Sequence, residues 1–69
     1  MEQEFELKGE YIELVKLLKV TGLCQTGGEA KMVTGDRLVK VDGEVETRKK
    51  KKIRLNQVVE YEGNTIKVV

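Results

Sequence analysis

Glycine and the turn residues beside it divide this chain into short segments. Seven glycines stand among 69 residues, and most of the regular hydrophobic patterns end next to one of them. Gly readily adopts the left-handed backbone conformations found in turns and at helix ends. A chain of this length buries about 60% of the surface that it exposes when unfolded, which supports one modest core. We therefore expect a single domain, residues 1–69, built from short helices and strands.

The first half of the chain predicts a strand followed by two short helices. Residues 4–8 alternate polar and apolar side chains, which is the period of a half-buried strand. From Tyr11 to Val20 the apolar residues recur at three- and four-residue spacing, which predicts an amphipathic helix of about three turns. Thr26 and Glu29 form a capping box, which predicts a second helix that ends at Gly35.

The dipeptide Asp42-Gly43 follows an apolar segment and is a strong signal for a β-hairpin. A two-residue turn there would place Val41 opposite Glu44 and would mix apolar and charged side chains on one face. A three-residue loop ending at the glycine would place Val39 opposite Val45 instead. We favour this bulged hairpin because it keeps apolar residues together.

The end of the chain predicts a second hairpin with its turn at Gly63-Asn64. This turn pairs Tyr61 with Ile66 and Val59 with Val68, so that one face is apolar and the other polar. The whole pattern predicts an α+β fold. In it, an N-terminal strand and two short packed helices precede a small antiparallel sheet of hairpins.

The residues needed for most kinds of catalysis are missing. The chain has no His, and its single Cys24 has no neighbouring base, so we interpret it as a small buried apolar residue. Glu60 and Glu62 fall on the polar face of the second hairpin, where cross-strand pairing explains them. We expect a non-enzymatic protein with no cofactor, metal or small-molecule substrate. Because the longest apolar runs are dipeptides, we expect no membrane-spanning segment and a cytoplasmic location.

The charge of the chain is distributed unevenly although the formal net charge is only +1. Residues 1–30 carry a net charge of −3, and residues 31–69 carry a net charge of +4. Five consecutive basic residues, 48–52, are followed by Arg54. Cations in such a run repel one another unless a polyanion neutralises them, and pairing with phosphates releases counterions. The run therefore indicates a nucleic-acid contact.

A solvated loop, or a charged edge strand that blocks aggregation, is the alternative interpretation of this basic run. No aromatic residue is interleaved with the cations, as stacking on bases would require. The three aromatic residues, Phe5, Tyr11 and Tyr61, all fall on predicted apolar faces, and we expect them to pack in the core.

Several short motifs stand in a fixed order between about residues 11 and 62. A Leu-rich first helix, a Thr-started second helix containing Glu-Ala and a strand ending in Val-x-Val-Asp-Gly follow one another. The residues that carry the motifs are Leu17-Leu18-Lys19, Gly22, Thr26, Glu29-Ala30-Lys31, Val39 to Gly43 and Asn56-Gln57. Together they resemble the S-four type RNA-binding domain, also called the αL motif, and within it the small stand-alone bacterial YbcJ-like group.

The resemblance implies an RNA-binding module that contacts the phosphates of structured RNA, with ribosomal RNA among the candidates. Two residues depart from the family pattern. Gly27 stands where many members carry an Arg that contacts RNA, and Arg37 replaces the Gly that usually precedes the strand. The expected contact residues are Lys31, Arg37, Lys40, Arg48, Lys49, Lys50, Lys51 and Lys52. The alternative function is a protein–protein adaptor that docks an acidic partner on residues 48–52.

Overall fold

Seven short strands and two helices make up the fold in the computed structural model, which describes residues 1–69. In chain order they are β1 (Glu2–Phe5), β2 (Ile12–Glu13), α1 (Leu14–Val20), α2 (Gly27–Gly35), β3 (Val39–Val41), β4 (Glu44–Val45), β5 (Lys52–Ile53), β6 (Val58–Tyr61) and β7 (Asn64–Val68). Five strands form one sheet in the order β1-β7-β6-β3-β4, and β2 pairs with β5 separately. The predicted α+β class is confirmed. Neither helix is long and apolar enough to cross a membrane.

A single hydrophobic core joins both helices to both sheets. Its 13 buried residues are Leu14, Leu17, Leu18, Cys24, Ala30, Val33, Val39, Val41, Ile53, Val59, Tyr61, Ile66 and Val68. Burying one large aliphatic side chain stabilises the fold by about 1.5–3 kcal/mol. Cys24 belongs to this core, where burial raises the pKa of its thiol. The interpretation of Cys24 as a buried apolar residue is therefore confirmed.

The second helix begins as the sequence predicts. The Thr26 hydroxyl accepts a hydrogen bond from the Glu29 backbone N–H at 3.1 Å. The Glu29 carboxylate in turn accepts one from the backbone N–H of Gln25 at 2.6 Å, one residue before the cap. These bonds satisfy backbone donors that the helix start would otherwise leave without partners.

The first helix is shorter than predicted, because the residues before Leu14 are in an extended conformation. Ile12 and Glu13 pair with Ile53 and Lys52 in an antiparallel ladder. The apolar spacing fits a helix that starts earlier, but a strand 40 residues away in the sequence competes for the backbone of these residues. The prediction of a helix over Tyr11 to Glu13 is wrong for this reason.

The first hairpin has a two-residue turn, so the predicted three-residue loop is wrong. Asp42 and Gly43 both have positive φ, 52° and 85°, as a type I′ turn requires. Val41 lies opposite Glu44 in β4. This pairing is tolerated because β4 is a two-residue exposed edge strand. The core face of β3 is completed on its other side by β6, where Val41 lies opposite Val59.

The second hairpin turns at Glu62-Gly63, one residue earlier than predicted. Both residues have positive φ, 50° and 77°, so glycine again takes the second turn position. Val59 lies opposite Ile66, and Tyr61 lies opposite Asn64. The partners are therefore shifted by two residues from the predicted pairs. Because side chains alternate with a period of two, this shift leaves the predicted apolar and polar faces unchanged.

The N-terminal strand is an edge of the main sheet and runs parallel to β7. Gln3 aligns with Ile66 and Phe5 with Val68. The strand spans Glu2–Phe5 rather than the predicted residues 4–8, and its pairing makes the sheet mixed rather than purely antiparallel. The alternation seen in the sequence is nevertheless correct, since Gln3 and Phe5 are the half-buried positions.

Arg37, which follows α2, is held in the left-handed backbone conformation with φ of 66°. For a residue with a Cβ atom this conformation costs about 1–2 kcal/mol, whereas glycine adopts it freely. The glycine that the family pattern has at this position is therefore what the backbone requires, and Arg37 occupies it at some loss of stability.

Replacing Arg37 with Gly should raise the free energy of unfolding by about 0.5–1 kcal/mol, because the strain is relieved and only part of the gain is lost to chain entropy. Urea denaturation measures the change. Arg37→Ala is the matched control, since it removes the same charge but keeps the Cβ atom. If the free energy of unfolding rises equally in Arg37→Gly and Arg37→Ala, backbone strain at this position does not explain the change.

Candidate nucleic-acid interface

Five cations line one depression on the surface. The depression has a volume of about 430 Å³, and every residue that lines it is basic: Arg48, Lys50, Lys51, Lys52 and Arg54. Cations gathered in a concave site raise the local positive potential and attract polyanions. We call this site the cationic depression.

Backbone hydrogen bonds hold the basic segment against the start of α1. The N–H groups of Leu14 and Val15 donate to the carbonyls of Lys51 and Lys49, with N···O distances of 2.9 and 3.2 Å. The residue that precedes α1, Glu13, makes no side-chain cap. The loop carbonyls therefore satisfy the first donors of the helix, and the helix fixes the path of the loop.

One cation of the depression is paired with a carboxylate. Arg48 donates from Nε to Glu46 Oε2 at 2.9 Å and from Nη2 to Oε1 at 3.1 Å. These bonds lower the pKa of Glu46 from 4.5 to about 2. The Arg48 side chain is still 71% exposed. Arg48 thus keeps an accessible guanidinium, but part of its charge is already balanced.

A chain of hydrogen bonds connects the depression to the first hairpin turn. Gln57 accepts from the Arg54 backbone N–H at 2.8 Å and donates from Nε2 to Asp42 Oδ2 at 3.1 Å. The other carboxylate oxygen of Asp42 accepts from the Val58 N–H at 2.9 Å. The Val58 bond, followed by the Gln57 bond, lowers the pKa of Asp42. Asp42 and Gln57 therefore position the backbone from which Arg54 projects.

The depression brings together four of the eight contact residues predicted from the sequence, and it adds Arg54. Arg54 could have been found from the alternation around Ile53, because residues 52 and 54 share a face when the residue between them is buried. The side chain of Lys49 does not line the depression.

The other three predicted contact residues lie on different elements. Lys31 is exposed on α2, and Arg37 is exposed in the turn that follows it. Lys40 lies on β3 between Val45 and Glu60, on the face opposite the core. None of them lines the depression. Their assignment as contact residues remains a prediction.

Tyr11 does not pack in the core, and the prediction that it would is wrong. The residue is 41% exposed. Lys52 Nζ lies 4.9 Å and Arg54 Cζ 5.8 Å from the centroid of its ring, both within cation–π range. Tyr61, in contrast, is buried as predicted, and burial raises its pKa to about 12. Pairing of β2 with β5 brings Tyr11 among cations that are far from it in the sequence.

Comparison with known proteins identifies similar chains over most of this length. The model of a family described as "S4 domain" matches residues 5–69. An Escherichia coli (strain K12) protein named "Putative RNA-binding protein YbcJ" is 44% identical over 62 residues, which are 90% of this chain and 89% of that protein. A Shigella flexneri protein named "Uncharacterized protein YbcJ" shows the same identity and coverage.

A solved structure shows the same architecture. The solution structure of YbcJ from E. coli superimposes with a TM-score of 0.74 and 43% sequence identity, covering 96% of this chain and 85% of that one. It is described as revealing an αL motif involved in RNA binding. The likeness therefore extends over nearly the whole chain, including the residues that line the cationic depression.

The Glu46–Arg48 pair should make a pH-dependent contribution to stability. The folded pKa of Glu46 is about 2, below its ordinary value of 4.5. The contribution is therefore complete above about pH 5 and is lost as the pH falls toward 2. The difference in thermal midpoint between the parent and Glu46→Gln should narrow over that window. Glu44→Gln, which removes a charge outside any ion pair, is the control. If the thermal midpoints of the parent and of Glu46→Gln fall by the same amount as the pH is lowered, the Glu46–Arg48 pair does not make this contribution.

Proposed function

The chain belongs to the S4 domain family, and we propose that it is a non-enzymatic module that binds structured RNA through its phosphates. The cationic depression is the observation that carries this proposal, because all of its lining residues are basic. The RNA-binding names of the similar E. coli protein and of its structure support the same function.

The residues that line the depression are suited to the phosphates of a nucleic acid. Three of its five residues are lysines, which act as point charges and contact phosphate oxygens without a fixed orientation. Contacts to phosphates fix where a protein lies on the nucleic acid but carry no direct sequence information. We therefore propose that the path of the RNA backbone, more than base identity, selects the target at this site.

The fixed backbone of the loop favours binding. Exposed lysines on a free loop would lose conformational freedom when they contact RNA, which subtracts from affinity. Here the backbone is already held by α1 and by the buried Ile53. Only the side chains remain to be ordered on binding.

Lys49 and the outlying cations extend the proposed contact surface. Lys49 follows Arg48 in the same loop, whereas Lys31 is exposed in the middle of α2 and Arg37 in the turn after it. Lys40 lies directly opposite Glu60, which offsets part of its charge, so we assign it the weakest contact. These cations lie on several different elements, so an RNA that contacts all of them must be larger than one base pair. Ribosomal RNA and other structured cytoplasmic RNAs meet this requirement.

Replacing Lys50 and Lys51 with Gln should weaken binding to a stem-loop RNA and reduce its salt dependence. Each lost phosphate contact lowers the slope of log affinity against log salt by about 0.7–0.9, so the double variant should lower it by about 1.5. Fluorescence anisotropy at several salt concentrations measures both effects. Lys19→Gln with Lys67→Gln is the control, since it removes the same charge outside the depression.

Two results would count against the proposal. If both double variants reduce affinity and slope equally, the depression is not the contact site and only overall charge matters. If the parent binds no RNA at low salt but captures an acidic protein through residues 48–52, the adaptor function replaces RNA binding.

A further inference from the structure

Tyr11 lies between the cationic depression and a second cavity. This cavity has a volume of about 510 Å³, within the range of small-ligand sites. Its lining consists of the apolar residues Phe5, Leu7, Tyr11 and Ile12, the carboxylates of Glu6 and Glu13, and the amines of Lys8 and Lys16. The same tyrosine ring contacts Lys52 and Arg54, which line the depression. The two concave sites are therefore adjacent, because Tyr11 lines the cavity and lies against two residues of the depression.

The two sites differ in the chemistry that they accept. In the cavity, Lys8 and Lys16 balance Glu6 and Glu13, so that the lining has no net charge, and the four apolar residues favour a flat, uncharged group. The depression has the opposite preference, since it holds cations and no apolar residue. A nucleotide has both parts, because its planar base and its anionic phosphate are attached to the same sugar. The arrangement is complementary to a single nucleotide whose base is free to leave its stack.

We infer that one unpaired nucleotide of the bound RNA stacks its base on Tyr11, in this cavity, while its flanking phosphates lie in the cationic depression. This inference rests on the proposed function, and it names the feature of the RNA that the site selects. Stacking on an aromatic ring tolerates any base, because every base has a π face.

Lys52 and Arg54 connect the two halves of this site. Their charged groups lie 4.9 and 5.8 Å from the Tyr11 ring centroid, and these cation–π contacts favour a ring position beside the phosphate site before RNA arrives. Ile53, between them, is completely buried and anchors the strand from which both project. A ring held in place loses little freedom on stacking, so more of the stacking energy contributes to affinity.

The target that follows is a stem interrupted or flanked by an unpaired nucleotide. A continuous duplex offers phosphates to the depression but no base to Tyr11. A bulge or a stem–loop junction offers both within one nucleotide, and the protein should prefer it.

The experiment uses two stem-loop RNAs that differ at one position, where one has a bulged adenosine and the other an abasic bulge. The parent should bind the adenosine RNA about 5- to 100-fold more tightly in anisotropy titrations. Tyr11→Phe, which keeps the ring, should preserve this ratio. Tyr11→Leu, which keeps apolar bulk but removes the ring, should bring the ratio close to 1.

A bulged 2-aminopurine in place of the adenosine reports stacking directly. Its fluorescence should be quenched by the parent and by Tyr11→Phe but not by Tyr11→Leu. Equal binding of the two RNAs by the parent would overturn the inference and leave phosphate binding intact. A preference that Tyr11→Leu retains would also overturn it, whereas failure of the parent to bind either RNA would refute the proposed function itself.

Discussion

Two backbone hydrogen bonds, from Leu14 and Val15 to the carbonyls of Lys51 and Lys49, hold the most highly charged segment of the chain against the start of the amphipathic helix α1. Repulsion between two exposed cations 4 Å apart in water is only about 1 kcal/mol, and salt screens it further. Each large buried side chain of the core, Ile53 among them, opposes the summed repulsion with about 1.5–3 kcal/mol. The core therefore keeps the cations together, and the depression is a consequence of packing at its edge.

This arrangement explains how a nearly neutral chain can present a strongly basic site. Six cations occur between residues 48 and 54, and the rest of the chain has a net charge of −5. The Glu46 carboxylate, only 13% exposed, holds Arg48 from the inner side and leaves the guanidinium outward. The positive charge of the molecule is therefore concentrated at the cationic depression.

The sequence predicted the features that depend on neighbouring residues. The Thr26 cap, the positions of both hairpins and the alternation of the strands follow from rules that act over a few residues. The turn of the second hairpin was nevertheless predicted one residue too late, and the larger errors fall where distant segments meet. Pairing of β2 with β5 shortened α1 and moved Tyr11 into the cationic surroundings, and the exposure of β4 permitted a turn that hydrophobic matching had disfavoured. No local pattern contains the partner of a strand 40 residues away.

The parallel alignment of β1 with β7 determines where material attached to the protein would emerge. Because the strands run in the same direction, Met1 lies beside Gly63 and Thr65 at one end of the sheet edge. Val69 lies at the other end, between Phe5 and Leu7, whose side chains line the cavity beside Tyr11. A fluorophore or surface linker at the amino end therefore projects away from this cavity. The same attachment after Val69 would stand at its entrance.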